Sequence, residues 1–71
     1  MSIVVNDKIM HGEPIIKGTR VPVKVVLGSL AGGMTYDEVI KEYEVTFQDI
    51  LDCLEFAAKQ IAEEEIHILS E

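Results

Sequence analysis

Hydrophobic and polar positions divide the chain into an irregular front and a helically periodic body. At the front, Ile3-Val4-Val5 is a β-branched run that predicts a short strand. Asn6-Asp7-Lys8 reads as a turn, and Ile9-Met10 is expected to extend back along the first strand as a small hairpin. Ile15-Ile16 supplies another extended piece. Pro22 suits the first position of a helix, and Val23, Val26, Leu27 and Leu30 then follow the i, i+3, i+4, i+7 spacing of one helical face. Gly32-Gly33 stops that helix, where a left-handed residue is wanted. Its valines have modest helix propensity, so tertiary packing must hold it.

Two further helices open on capping signals. Thr35-Tyr36-Asp37-Glu38 has the S/T-x-x-E form of a capping box, and Val39, Ile40 and Tyr43 give the second helix its apolar stripe. Thr46-Phe47-Gln48-Asp49 repeats the box with Asp in place of Glu. In the third and longest helix Phe47, Ile50, Leu51, Leu54, Ala57, Ala58 and Ile61 form one broad stripe, with Asp52, Glu55 and Lys59 off it. This helix is expected to reach about Glu64. Ile66, His67, Ile68 and Leu69 alternate like a strand and equally continue a helix, and the pattern leaves both open. The expected fold is mainly α: a three-helix, homeodomain-like (helix-turn-helix) bundle with a short N-terminal β element. One domain covers residues 1–71, with the β element and Gly/Pro-rich segment in 1–21, the bundle in 22–65 and a tail in 66–71.

Composition changes this picture in two ways. A chain of 71 residues is marginal as a lone core, and its single cysteine, Cys53, allows no internal disulfide. Association is the remaining device, so a homodimer or a protein partner is expected. Charge is also divided. Residues 1–34 carry four basic side chains against two acidic ones, whereas residues 35–71 carry two lysines against eleven acids, and the whole has net charge −7. Such a chain repels nucleic acid over most of its surface and favours a basic protein partner. One cysteine, no basic leader ahead of an apolar run, and no apolar run near the roughly 18 residues of a membrane span together predict a cytoplasmic protein with no membrane partner.

Candidate chemistry is sparse. Lys17, Arg20 and Lys24 form the one basic cluster. It lacks an aromatic platform for nucleic acid, although dimerisation would double it; otherwise Arg20 is expected to pair with carboxylates or carbonyls of its own fold. Helices two and three fit a helix-turn-helix, but the leading end of the third reads Thr46, Phe47, Gln48, Asp49, Asp52. Only Gln48 suits a base edge, and the carboxylates would face phosphates, so a structural helical hairpin is the stronger reading. Lys17-Gly18-Thr19 lacks the spacing of a phosphate loop. His11 and His67 have no partner at metal-ligand spacing, so no metal and no cofactor are expected. Cys53 reads as a buried small hydrophobe. Glu63, Glu64 and Glu65 are a solvated helix end or an acidic docking patch for a basic partner. No acid, base and nucleophile set stands out, so no catalytic residue is assigned and the chain is read as a non-enzyme.

Pro14-Ile15-Ile16-Lys17-Gly18-Thr19-Arg20-Val21-Pro22-Val23, Ala31-Gly32-Gly33, Thr35-Tyr36-Asp37-Glu38, Tyr43-Glu44 and Thr46 through Ala57-Ala58 also occur in a family-like order. On these motifs the run from His11 to Ala58 resembles the small family catalogued as domain of unknown function 433. The resemblance implies a short N-terminal β element, a homeodomain-like helical bundle, and an antitoxin whose partner is a PIN-like ribonuclease toxin. One position departs. Relatives usually carry Pro after the tyrosine of the second turn, and this chain carries Glu44, which implies a less rigid turn or a second helix one residue longer. The leading expectation is therefore an antitoxin-like interaction module in a toxin-antitoxin system. The alternative is a helix-turn-helix DNA-binding transcriptional regulator, with its own operon among the candidate targets.

Overall fold

The computed structural model describes residues 2–6, 8 and 10–69, with backbone alone for residues 10 and 64–69. In chain order it contains strand β1 (Ile3–Val5), a 3-10 turn (Met10–Gly12), strand β2 (Pro14–Ile16), and helices α1 (Val23–Ala31), α2 (Tyr36–Tyr43) and α3 (Phe47–Leu69). The fold is a small, mainly α bundle of three helices with a two-stranded N-terminal sheet.

The hairpin expectation needs correcting at its second strand. β1 pairs antiparallel with Pro14–Ile16, in the register Ile3 with Ile16 and Val5 with Pro14. Met10 lies in the 3-10 turn, where His11 and Gly12 take left-handed φ of 56° and 80°, and Ile9 falls outside the described residues. The physical reason is burial: Ile15 and Ile16 both enter the interior, so the ladder forms where it hides two β-branched side chains.

Past β2 the chain turns sharply. The Thr19 amide donates to the Ile16 carbonyl at 3.0 Å and Gly18 has φ of +79°, as the third residue of a type II turn requires. Thr19 locks the turn with its side chain. Its hydroxyl donates to the Ile16 carbonyl at 2.8 Å and accepts from the Val21 amide at 3.0 Å. Val21 and Pro22 then return beside β2, with Ile15 bridged to Pro22. Pro22 is consequently the N-cap, with an extended ψ of 145°, and α1 starts one residue later than the sequence implies.

The helix ends follow their signals. Gly32 caps α1 and the positive φ, 105°, falls on Gly33. Thr35 and Glu38 make both hydrogen bonds of the capping box. Thr46 and Asp49 make the reciprocal pair, each amide donating to the other's side chain at 3.0 Å. Glu44 closes α2 in the left-handed region, φ 55° and ψ 41°. The helix does not run longer, and a proline ring, with φ fixed near −65°, cannot take this conformation.

The core unites Ile16, Val23, Val26, Val39, Val45, Ile50 and Cys53. Leu27, Leu30, Ile40, Tyr43 and Phe56 pack against it, so the α1 and α2 stripes meet as their spacing implies. Residues 66–69 continue α3, so the boundary at residue 65 between bundle and tail is not an element boundary. The broad stripe of α3 is only half used. Ile50 is buried, whereas Phe47, Leu51, Leu54 and Ile61 are 50%, 37%, 36% and 58% exposed. Asp52, expected off the stripe, is buried instead.

Candidate functional site

Three surfaces can meet a partner. The first is the basic end. The type II turn places Lys17 and Arg20 at its tip, both exposed, and Arg20 lines an open concavity of about 740 Å³ with Val4, Val5, Asn6 and Thr19. Among the described residues Arg20 makes no ion pair or side-chain hydrogen bond, so the expected anchoring within its own fold is absent. It is Lys24 that is anchored, by an ion pair with Glu13. That pair borders a smaller groove of about 270 Å³ lined mainly by Pro14, Val23, Leu27, Phe56 and Ala57. With Lys24 paired, Lys17 and Arg20 are the members of this cluster without an ion pair among the described residues.

The second surface is the leading end of α3, which the helix-turn-helix reading would send into a groove. The N-terminus of the chain covers its flank. The Ser2 amide donates to Asp52 Oδ2 at 3.0 Å, and the Ser2 hydroxyl lies 2.7 Å from that oxygen and 3.1 Å from Asp49 Oδ1. Gln48 Nε2 donates to Asp52 Oδ1 at 3.0 Å. The hydroxyl of Ser2, the amide of Gln48 and the backbone amide of Ser2 hold the Asp52 carboxyl below its ordinary value. Gln48, the one side chain suited to a base edge, is thus partly committed to Asp52. Asp49 is committed to the helix cap, and Phe47 lies against Tyr36 with ring centroids 5.6 Å apart. This end presents carboxylates and two rings where phosphate contact needs cations.

Beneath it lies Cys53, fully buried. Burial, with Asp49 and Asp52 nearby, pushes its thiol up to about 11, so it packs as a neutral apolar side chain, as its sequence position implies.

The third surface is the acidic and apolar side made by α2 and α3. Asp37, Glu42, Glu44, Glu55 and Glu63 are all exposed, and the local cations are Lys41 and Lys59, the latter 3.4 Å from Glu55. Glu38, although exposed, is tied into the capping box. Of the predicted docking patch, Glu63 is exposed on α3; the side chains of Glu64 and Glu65 lie outside the described residues. The uncovered edge Phe47, Leu51, Leu54 and Ile61 runs beside these acids. The structure therefore keeps Lys17 and Arg20 together, sets Lys24 in an ion pair, and puts Gln48 on a different element.

Sequence reasoning missed two features here. Nothing local announces the contact of Ser2 with Asp49 and Asp52, which joins residues about 50 apart. The uncovered edge did have a signal. At 100° per residue, the apolar positions from Phe56 round to Leu51 wrap about 220° of α3, and a helix facing one core needs little more than 100°.

This architecture defines a class: a small, mainly α bundle of three helices with a two-stranded antiparallel sheet at its N-terminal end. Its sequence places it further. Residues 3–57 match the family model described as "Protein of unknown function (DUF433)", and the chain belongs to that family. The match takes in β1 as well as the Gly-Thr-Arg segment and all three helices' beginnings. No curated protein matches the chain significantly, and no solved structure does.

Proposed function

We propose that this chain is a non-enzymatic, antitoxin-type interaction module that binds and neutralises a PIN-like ribonuclease. The observation that carries the reading is the exposed acidic side of α2 and α3, where Asp37, Glu42, Glu44, Glu55 and Glu63 stand against two lysines. A ribonuclease that grips a polyanion through cations and metal ions offers the opposite charge. Carboxylates laid over such a cleft compete with RNA phosphates, and adjoining apolar side chains exclude water from the contact. Co-expression with a PIN-like ribonuclease encoded beside it is expected to give a stable complex and an inhibited nuclease. Lysine substitutions at Glu42 and Glu44 together should weaken the complex by about tenfold or more, mainly at low salt. A nuclease that neither co-purifies nor loses activity removes the proposal.

A helix-turn-helix regulator is the second reading, and Lys17 and Arg20, exposed and unpaired among the described residues, are what favour it. In that reading DNA meets the turn after β2 rather than the leading end of α3. It predicts promoter binding that falls with salt and is lost in Lys17→Ala/Arg20→Ala. A promoter fragment that shows no shift at low salt, with or without a protein partner, rules it out.

A further inference from the structure

The uncovered edge of α3 has a regular period. Phe47, Leu51, Leu54, Ala58 and Ile61 are separated by four, three, four and three residues, the alternation of the two apolar seam positions in a coiled coil. All five are exposed. Their neighbours Ile50, Cys53 and Phe56 turn inward and hold the helix to its own bundle. One face of α3 thus belongs to the monomer, and the adjacent face is built to the spacing of a second helix.

Side-chain size identifies that second helix. From Phe47 to Ala58 the seam reads large, medium, medium, small. Reversed and laid antiparallel against itself, it sets Phe47 against Ala58 of the second copy and Leu51 against Leu54 of the second copy, with the same pairs repeated about the two-fold axis. A two-fold interface requires this reciprocity, in which residue i meets j and j meets i. In the same register Gln48 of one copy runs beside Glu55 of the other, so like charges do not meet across the seam.

On this face Phe47, Leu51 and Leu54 are 50%, 37% and 36% exposed, so apolar surface remains there for a second copy to cover.

We infer that the outer edge of α3 is a homodimer interface, in which Phe47, Leu51, Leu54 and Ala58 pair antiparallel with the same residues of a second copy. The seam takes the apolar edge beside the acids of the ribonuclease reading and sets Glu55 at its margin, so in the dimer a nuclease would meet the exposed acids of α2, Asp37, Glu42 and Glu44, which stay outside it.

Sedimentation equilibrium of the full chain over about 1–200 μM tests it, since specific protein interfaces hold at micromolar concentrations or below. A two-fold monomer–dimer equilibrium is expected, and a monomer throughout that range overturns the inference. Phe47→Ala and Ala58→Phe should each weaken the dimer about tenfold or more, the first by emptying the Phe-Ala layer and the second by overfilling it. The double variant swaps the two sizes and restores the reciprocal layer, so its dimer should return to near wild-type strength. A double variant as weak as the worse single one overturns the register, and single variants that dimerise like the wild type overturn the interface. Leu51→Glu/Leu54→Glu gives an independent check, because both positions face outward and the fold retains its core. With helical circular dichroism preserved it should sediment as a monomer. A dimer from that variant, or loss of its fold, which would make these leucines part of the monomer core, counts against the assignment.

Discussion

Glu44 shows how one residue sets a local conformation. Its φ of 55° puts a β-carbon in the left-handed region, which costs a non-glycine residue roughly 1–2 kcal/mol. Glu44→Gly removes that cost and returns some of it as unfolded-chain entropy. We therefore expect Glu44→Gly to raise stability by about 0.5–1 kcal/mol, and Glu44→Pro to lower it by several, as read from urea midpoints. Asp52 gives the second test at this scale. Its folded carboxyl sits below the ordinary 3.8, held there by Ser2 and Gln48. A depressed acid stabilises fully above its unfolded value and loses that contribution as pH falls through the folded one. Stability should consequently drop as pH falls below about 3.8, and Asp52→Asn should lose less between pH 6 and pH 3 than the wild type does. The type II turn is a third residue-scale feature. Gly18 supplies the positive φ, and Thr19 satisfies two groups of the backbone around it.

The elements differ in how completely their sequences foretell them. Caps are local, so the boxes at Thr35/Glu38 and Thr46/Asp49 form as their spacing implies. Strand pairing is not local. Ile9-Met10 and Ile15-Ile16 are both apolar pairs able to extend, and the choice between them depends on which side chains the rest of the fold can cover. In α3, period places the apolar residues on a stripe but does not divide that stripe between the monomer's core and an outer edge. Adjacent positions expose the division. Ile50 is fully buried and Leu51 is 37% exposed, so Ile50→Ala should cost about 2–5 kcal/mol of monomer stability, while Leu51→Ala should cost about 1 kcal/mol or less. Denaturant unfolding at concentrations low enough to keep the chain monomeric separates the two.

At the scale of the whole molecule, charge and surface dominate. Eleven acids crowd the last 37 residues, and the ion pairs among the described residues are two exposed ones, Lys24 with Glu13 and Lys59 with Glu55. Exposed pairs contribute about 0–1 kcal/mol each, so self-repulsion in the acidic half is largely uncompensated. Screening relieves it, and the melting temperature is expected to rise between 20 and 500 mM sodium chloride. A fall over that range would mean that attractive pairs outweigh repulsion. Among the described residues no helix is long and apolar enough to cross a membrane.

What the sequence by itself determined was everything carried by short-range chemistry. The helix caps, the glycine stop after α1, the apolar stripes of α1 and α2, and the burial of Cys53 all depend on residues a few positions apart or on one turn of periodicity. The family was legible for the same reason, because Gly18-Thr19-Arg20-Val21-Pro22-Val23 is a contiguous signature. Tertiary structure alone decided the rest. It chose Pro14–Ile16 as the partner of β1, drew Asp52 inside through Ser2, left Arg20 without a partner among the described residues, and covered one half of the α3 stripe while leaving the other exposed. Each of those outcomes joins residues far apart in the chain. Periodicity says which positions are apolar, whereas only the packed neighbours decide how many of them a single copy can cover.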